Sequence, residues 1–197
     1  VVNDVTVYNN LAYLSCDFGI MVLNLKKKEI SDTYFIGVNG SYVKVLNTVV
    51  LNGKIYAAAA DKIYTADITS PNLVNYEYWE SNMSLPGSGE IKKLSVFNNH
   101  LILYRNDKIY TQDDNNNWSS IFDSFSISYM NISGEKMYFL DSSNQLYLAN
   151  TDFTYKTLTG INSVADSEFD SSTNTSWFAA LSSGVITYAE VNSSPVY

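Results

Sequence analysis

The sequence has few of the residues that impose structure by themselves. Among its 197 residues are one cysteine, one histidine, three prolines and nine glycines. A single cysteine, Cys16, excludes an internal disulfide, and its place within an apolar run favours a buried thiol over a nucleophile. One cysteine and one histidine cannot supply the clustered ligands of a zinc site. Side-chain packing must therefore hold the fold together.

Long hydrophobic runs are also lacking. No stretch approaches the roughly twenty apolar residues that a membrane-spanning helix needs, and no charged segment followed by an apolar one marks a signal peptide. We therefore expect a chain that does not span a membrane. Because the sequence begins at Val1 rather than at a methionine, we expect the start of the parent protein to lie before it.

Positive charge is scarce in the second part of the chain. Residues 111–197 contain two lysines, Lys136 and Lys156, against ten acidic residues, whereas residues 1–110 contain ten basic and ten acidic residues. The formal net charge of -8 therefore arises in the second part. Because binding to phosphates needs clustered cations, we do not expect a nucleic acid as a partner.

Helical periodicity is absent, and residues that favour strands are abundant. Sixteen tyrosines, nine phenylalanines and three tryptophans accompany a hydrophobic fraction of 46%, while only 16% of the residues are charged. No window of a dozen residues shows the apolar spacing of three and four that an amphipathic helix requires. The sequence predicts a folded chain with almost no helix.

The sequence does contain a repeat. Residues 61–65 and 107–111 both read Asp-Lys-Ile-Tyr-Thr, and each follows a short apolar run, which predicts a strand, a tight polar turn and a second strand. Three further segments fit this template. The aligned positions have spacings of 43, 46, 36 and 40 residues, which is the period of a propeller blade, and they are Tyr13, Tyr56, Ile102, Tyr138 and Phe178.

This repeat predicts an all-β fold, a β-propeller segment of about five blades that is part of a larger propeller. We expect residues 1–197 to form a single propeller domain fragment, with repeat units near 1–48, 49–93, 94–129, 130–162 and 163–197. A ring of seven such blades needs on the order of 290 residues, so we expect the parent protein to supply the missing blades. The last residues, Pro195-Val196-Tyr197, show no obvious closing strand.

Patterns for catalysis or metal binding are weak. His100 follows Asn98-Asn99 and is interpreted as a turn residue, and no spacing among the twenty acidic residues singles out a catalytic pair. The run from Asp113 to Asn117 offers oxygen ligands for calcium, but it lacks the spaced acids and closing glutamate of a calcium loop, which favours a solvated turn. We expect no enzyme, no cofactor and no metal.

The longest predicted loop, residues 68–90, is the best candidate for binding a partner. It combines aromatic residues with proline and glycine, and ordering a loop in advance lowers the cost of binding. We predict a contact patch of Tyr76, Tyr78 and Trp79, joined by Trp118 from a neighbouring hairpin. The alternative is that Trp79 fills a gap between two blades and is largely buried.

The stretch from Leu11 to Gly37 begins Leu-Ala-Tyr-Leu-Ser-Cys-Asp-Phe-Gly-Ile-Met-Val-Leu-Asn-Leu and resembles the N-terminal β-propeller of PorZ-like proteins of Bacteroidetes. The same pattern continues from Ile55 to Trp79, where Asn72 and Leu73 precede the tryptophan. Beyond Leu94 the likeness is to propeller blades in general. No short site motif is available to transfer functional residues.

The resemblance implies further blades before this stretch, a second propeller after it, and a role at the cell surface in the type IX secretion system. It also implies protein partners in a sortase-containing attachment complex of the outer membrane, and a glycan, anionic lipopolysaccharide, as a further ligand. The expected location is extracytoplasmic, at the cell surface or in the periplasm.

Three classes of function remain open. A non-catalytic binding or scaffold propeller in such a secretion or attachment complex is favoured. The alternative is an extracytoplasmic ligand-sensing propeller of a two-component regulator, because related organisms without the secretion system carry similar propellers. A glycan-active enzyme comes third, since it needs a pocket of carboxylates with displaced pKa values.

Overall fold

The computed structural model of the protein describes residues 1–181 and 183–189, together with the backbone of residues 195–196. In this part of the chain nineteen strands form five antiparallel sheets. Two short 3-10 turns, Val38–Gly40 and Tyr76–Tyr78, make up its helical content. The predicted all-β class with almost no helix is therefore confirmed.

The sheets follow one another along the chain. Sheet 1 contains β1 (Val2–Tyr8), β2 (Leu11–Cys16), β3 (Gly19–Asn24) and β4 (Glu29–Tyr34). Sheet 2 contains β5 (Asn47–Leu51), β6 (Lys54–Ala58) and β7 (Ile63–Asp67). Sheet 3 contains β8 (Ile91–Phe97), β9 (His100–Arg105), β10 (Lys108–Gln112) and β11 (Trp118–Ile121).

The last two sheets repeat the same meander. Sheet 4 contains β12 (Ile127–Ser133), β13 (Lys136–Asp141), β14 (Gln145–Ala149) and β15 (Tyr155–Asn162). Sheet 5 contains β16 (Val164–Asp170), β17 (Thr175–Ala180), β18 (Gly184–Ala189) and β19 (Pro195–Val196). In every sheet the strands lie in sequence order, so the first strand is always an edge strand.

The chain divides into two compact units. Unit 1 comprises residues 1–106 and 112–119, and unit 2 comprises residues 107–111 and 120–197. In unit 1 the first strands of successive sheets pack on one another, β1 on β5 and β5 on β8. In unit 2, β12 packs on β16 in the same way. Packing of first strand on first strand is thus repeated within each unit.

Asparagine builds the tight turns between the first and second strands. In Asn9-Asn10 and Asn98-Asn99 both residues have positive φ, as they have in Asn52-Gly53. Two positive φ values define the type I′ turn, whose twist matches that of the flanking strands. Asparagine tolerates this conformation better than other residues with a side chain. The predicted hairpins therefore have a local chemical cause.

A bulge interrupts the first strand at the same point in four of the five sheets. The pairing register shifts between Val2 and Asp4, between Ile91 and Lys93, between Ile127 and Tyr129, and between Val164 and Asp166. A bulge adds one residue to a strand, bends it and increases its twist. Because the bulge recurs at the same point, it serves as a reference for identifying equivalent positions in the sheets.

Side chains of one first strand hydrogen-bond to the backbone of the next. Three such bonds are Thr6 Oγ1 to Thr48 O at 2.6 Å, Asn47 Nδ2 to Leu94 O at 2.7 Å, and Asn131 Nδ2 to Ser167 O at 2.6 Å. Each accepting residue is the fourth from the end of its strand. The same carbonyl therefore receives a side chain of the preceding sheet in three places.

Each unit has its own apolar core. The core of unit 1 contains Tyr13, Ile20 and Val22 from sheet 1, packed with residues of sheet 2 such as Ile55 and Tyr64. The core of unit 2 joins buried residues of sheets 4 and 5, among them Tyr138, Leu140, Leu146, Phe178 and Ile186. In both units, the core forms where the face of one sheet is covered by the next.

A second aromatic cluster lies on the other face of sheet 4. The ring of Phe139 stacks on Phe122 at 4.5 Å and on Tyr147 at 4.9 Å between centroids. Phe125 and Tyr155 meet this stack edge-on. The rings therefore bury much of sheet 4 on both sides, and many of the aromatic residues of unit 2 serve packing.

The aligned repeat positions predicted from the sequence are equivalent in the strand pairing of four sheets. In the fifth sheet the predicted position is off by one residue. Tyr13, Tyr56, Ile102 and Tyr138 each pair with the third residue from the end of the first strand. In sheet 5 this position belongs to Trp177, which pairs with Glu168, and not to Phe178. The turn from β16 to β17 has four residues instead of two, so local spacing did not reveal the shift.

The ends of the repeat units also differ slightly from the prediction. The first strands β5, β8 and β12 begin at Asn47, Ile91 and Ile127, two or three residues before the predicted boundaries. The last sheet has a fourth strand, β19, whose pairing with β18 joins Thr187 to Val196 and Tyr188 to Pro195. The expectation of no closing strand was therefore wrong, because so short a strand carries no pattern of its own.

Substituting Asn47 tests the importance of the bonds between first strands. Its side chain donates to Leu94 O and accepts from Leu94 N, and Asn47 is only 7% exposed. Asn47→Ala leaves both backbone groups buried and unpaired, so we expect the free energy of unfolding to fall by about 2 to 4 kcal/mol. Urea denaturation measures this. Asn115→Ala, on an exposed turn, is the control, with a change within about 0.5 kcal/mol; equal effects would contradict the argument.

The pKa values of several tyrosines are higher in the folded protein than in water. Burial raises the pKa of Tyr129 to about 12, and burial is also the main cause that raises the pKa values of Tyr13 and Tyr34. For an acid whose pKa is raised on folding, the stabilising contribution is complete below the unfolded pKa, near 10, and is lost as the pH rises towards the folded pKa. These tyrosines therefore make the fold sensitive to alkali.

We expect the free energy of unfolding to fall as the pH rises from about 10 towards 12. Tyr129→Phe removes one ionisable group and should flatten this decline, although it also removes the hydrogen bond between the Tyr129 hydroxyl and Ser167 Oγ. Denaturation at a series of pH values measures the slope. Tyr42→Phe, at a position 73% exposed, is the matched control and should leave the slope unchanged. Identical slopes for both variants would contradict the assignment.

Candidate functional site

The predicted loop after β7 completes sheet 2. The backbone of Thr65 donates to Glu80 O at 2.8 Å and accepts from Glu80 N at 2.9 Å. This bridge places Glu80 where the other sheets have a fourth strand. Between β7 and the bridge, the chain turns through Tyr76–Tyr78, where the Asn75 side chain accepts a hydrogen bond from the Glu77 N–H. Part of the segment is therefore ordered against the sheet.

Trp79 belongs to the core of unit 1. The residue is 7% exposed, its ring lies 5.9 Å from the Tyr34 ring, and its Nε1 donates to Leu73 O at 2.9 Å. This arrangement matches the alternative interpretation, in which the tryptophan fills a gap between sheets. Its indole N–H is satisfied within the segment, so the whole ring contributes to packing.

Tyr78 is the most accessible aromatic residue of the predicted patch. It is 47% exposed, whereas Tyr76 is half-buried and its hydroxyl donates to Asn39 Oδ1 at 3.4 Å. Trp118 is partly exposed and lines a cavity of about 310 Å³ with Leu85 and Pro86. The structure therefore does not bring Trp118 into the cavity that Tyr78 lines.

A polar groove lies beside Tyr78. Its volume is about 620 Å³, within the range of ligand sites, and it is lined by Lys54, Thr65, Asp67, Glu77, Tyr78 and Glu80 among others. A second cavity of about 260 Å³ shares Lys54, Thr65 and Glu80 with it and extends to Met83 and Gln112. The two cavities meet at these three shared residues, and together they form the candidate site, which we call the Lys54 groove.

The charges of the Lys54 groove are uneven. Three carboxylates, of Asp67, Glu77 and Glu80, face one ammonium group, that of Lys54. Hydrogen bonds from the hydroxyl and N–H of Thr69 hold the pKa of Asp67 below its usual value, and the nearby Lys54 charge acts in the same direction. Asp67 is therefore ionised over the physiological range and already engaged in its turn. The groove as a whole is negative.

Sequence reasoning found Tyr78 and missed the other main residues of the groove, namely Lys54, Thr65 and Glu80. No signal in the sequence marked these residues. In the repeat alignment, Val22 and Leu148 pair with Tyr13 and Tyr138, whereas Thr65 pairs with Tyr56 and Thr187 pairs with Trp177. Threonine also ends both copies of Asp-Lys-Ile-Tyr-Thr, so Thr65 follows a recurring pattern.

The residues considered for catalysis or metal binding occupy ordinary structural positions. His100 Nδ1 lies 3.1 Å from Gln112 O, and the Cys16 thiol is buried with its pKa raised by burial. The Asp113 carboxylate accepts the N–H groups of Asn115 and Asn117 within its own turn. Over residues 1–181 and 183–189, no group of three or more histidine, cysteine or acidic side chains is placed to hold a metal ion.

No helix in the described part of the chain is long and apolar enough to cross a membrane. This agrees with the hydropathy of the sequence.

Comparison with known proteins gives the fold a family context. Residues 1–80 match the model of the PorZ N-terminal beta-propeller domain of the type IX secretion system. The structure of PorZ from Porphyromonas gingivalis, described as an essential bacterial surface component of that system, covers 100% of this chain with a TM-score of 0.81 and 18% identity. The predicted resemblance to the PorZ N-terminal propeller is confirmed. The chain spans about a quarter, 25%, of that PorZ chain.

Other solved structures share the fold at lower similarity. The extracellular domain of a protein described as a hybrid two component system of B. thetaiotaomicron matches 93% of this chain with a TM-score of 0.64 and 10% identity, over 26% of its own length. Virginiamycin B lyase from Staphylococcus aureus matches 94% with a TM-score of 0.61 and 11% identity, over 68% of its length. Identities this low show the fold alone. No curated protein sequence matches the chain significantly.

Substitutions of Trp79 and of its neighbour Tyr78 compare the stability contribution of a buried ring with that of an exposed ring. Trp79→Ala should lower the free energy of unfolding by about 3 to 5 kcal/mol, because it empties a buried ring site. Tyr78→Ala, one residue away and half exposed, should cost about 1 kcal/mol or less. Chemical denaturation of the two variants measures the difference. A loss below about 1 kcal/mol for Trp79→Ala would show that the ring is not part of the core.

Proposed function

We propose that this chain is part of a non-catalytic binding and scaffold propeller in a cell-surface protein secretion or attachment complex of the type IX kind. The match of residues 1–80 to the PorZ propeller model carries the proposal. The structural likeness to PorZ over the whole chain supports it as far as the fold is concerned. In this role the propeller is a rigid body that presents loops to protein partners of the outer membrane or cell surface.

The buried hydrogen bonds between neighbouring sheets support a scaffold role. First strands are linked to one another by buried side-chain hydrogen bonds, such as that of Asn47 to Leu94, so the sheets of a unit resist sliding. The groove and the exposed Tyr78 lie at one such sheet, on the segment that completes it. A rigid sheet with an ordered surface segment is suited to binding because little entropy is lost on association.

The second candidate function is an extracytoplasmic ligand-sensing domain of a two-component regulator. The likeness to the extracellular domain of a hybrid two component system favours it. The two candidates differ in what the parent protein contains. A scaffold protein needs partners at the surface, whereas a sensor needs a transmembrane helix and a signalling domain in the same chain.

The test is recovery of the complex from cells. The parent protein, tagged and expressed from its own gene, is cross-linked at the cell surface and purified. We expect it to retain outer-membrane or surface proteins, and we expect deletion of its gene to reduce the secreted proteins attached to the cell surface. A parent chain that carries a kinase, and whose deletion alters transcription while secretion remains normal, would establish the sensor and overturn the scaffold.

A further inference from the structure

The Lys54 groove continues into a third cavity. The cavity of about 310 Å³ beside Trp118 shares Ser84 and Asn116 with the second cavity of the groove. It shares no lining residue with the first cavity, where Tyr78 lies. The three cavities therefore follow one another in series, with Tyr78 in the first and Trp118 in the last. Together we call them the continuous groove, and all the residues that line it belong to unit 1.

Hydrogen bonds hold the walls of the continuous groove in place. The backbone bridge between Thr65 and Glu80 fixes the chain where the first two cavities meet. The Arg105 side chain is only 8% exposed, and it donates to Gly89 O at 2.7 Å and to Pro86 O at 3.2 Å. These bonds fix the segment that lines the third cavity. The groove is therefore formed before a ligand binds, which lowers the entropy lost on association.

Two polar groups along the continuous groove lack a partner. Thr65 is 8% exposed, and neither its hydroxyl nor the Trp118 indole N–H has a hydrogen-bond partner among the described residues. Thr65 lines the first two cavities, and Trp118 lines the third. A buried polar group without a partner costs about 1 to 3 kcal/mol. A ligand that offers an acceptor to the indole N–H and a partner to the hydroxyl removes this cost.

The charge of the first cavity favours a cationic side chain. Its three carboxylates outnumber its one ammonium group, that of Lys54. In the described part of the chain, neither Glu77 nor Glu80 forms an ion pair. The half-exposed ring of Tyr78 lines the same cavity, and the face of an aromatic ring attracts an ammonium or guanidinium group. A lysine or arginine side chain is therefore attracted by both, whereas an anion is repelled.

We propose that the continuous groove binds an extended, basic peptide segment of a protein partner. A lysine or arginine of the segment enters the cavity beside Tyr78, and an apolar side chain packs on Trp118. Between them, the backbone of the segment offers an N–H and a C=O at each residue, so it supplies an acceptor for the Trp118 N–H and a partner for Thr65. This inference rests on the proposed binding role and deepens it, since it names the site and the chemistry of the partner segment.

Charge and hydrogen bonding together distinguish a basic peptide from other ligands. A neutral saccharide both donates and accepts, but it leaves the carboxylates of Glu77 and Glu80 without a cation. A protonated polyamine brings cations, but it has no acceptor for the Trp118 N–H. A basic peptide supplies the cation, the acceptor and an apolar side chain in one ligand.

The experiment selects peptides from a random phage-displayed octapeptide library on the immobilised 197-residue chain. We expect the enriched sequences to share a lysine or arginine and, at a constant distance from it, an aromatic or aliphatic residue. A synthetic peptide of the most enriched sequence should bind with a micromolar Kd in fluorescence anisotropy, and its affinity should fall as salt is added. Enrichment of sequences without lysine or arginine overturns the proposal. So does no enrichment, with or without binding of an uncharged sugar such as maltotriose.

Glu80→Gln tests the cationic end of the segment on an exposed side chain, where folding is not at risk. It keeps the shape and removes one negative charge, so we expect affinity for the synthetic peptide to fall about threefold to tenfold and to depend less on salt. Glu90→Gln, at an exposed position that lines none of the three cavities, is the matched control and should leave affinity unchanged. Equal affinities of the two variants would overturn the placement of the cation.

Trp118→Phe tests the other end of the segment. It keeps an aromatic ring and removes the unpartnered N–H, so we expect the melting temperature to change little, while affinity for the peptide falls about threefold to tenfold. Trp177→Phe is the matched control, because Trp177 is 46% exposed and lies in unit 2, outside the groove. It should leave affinity unchanged. Peptide binding of Trp118→Phe as tight as that of wild type would contradict the contact with Trp118.

Failure of the groove and failure of the scaffold function give different results. A parent protein that retains surface partners, together with a 197-residue chain that selects no peptide, counts against the groove alone. A parent protein that retains no surface partner, while the chain binds the basic peptide, counts against the scaffold function alone.

Discussion

The stability of each unit depends on one constraint: the face of a sheet becomes core only when the next sheet covers it. A three- or four-stranded sheet has two faces and no interior of its own. In unit 1, Ile20 and Val22 of sheet 1 are fully buried because residues of sheet 2 pack against them. The recurring bonds to the fourth-last carbonyl of the first strand fix the register of this stacking. Because only the covered faces become core, apolar residues lie on those faces and polar residues lie at the turns.

This constraint also explains which parts of the fold could be predicted from the sequence. Turns of asparagine and glycine, and apolar residues at a regular interval, are local signals in the sequence. They predicted the five sheets and four of the five aligned repeat positions. The displaced position, Trp177 instead of Phe178, depends on a turn of four residues that leaves the apolar pattern unchanged. The strand β19 depends on pairing with β18, which no local pattern reports.

The candidate site was only partly predictable for the same reason. The aromatic residues of the long segment were visible, but their environment was not: Trp79 is buried against Tyr34, while Tyr78 remains open. Lys54 and Glu80 are ordinary surface residues in the sequence, and only the bridge between Thr65 and Glu80 brings them together.

The recurrent bulge in the first strands bears on how the chain avoids misassembly. An edge strand with a regular row of free N–H and C=O groups is a template on which another chain can add a strand and begin to aggregate. Four first strands of this protein carry one extra residue at the same point, which breaks that row and bends the edge. A repeat protein with five similar sheets is especially exposed to pairing between the wrong copies. The four bulged first strands therefore present an irregular free edge, which disfavours pairing with an edge strand of another chain.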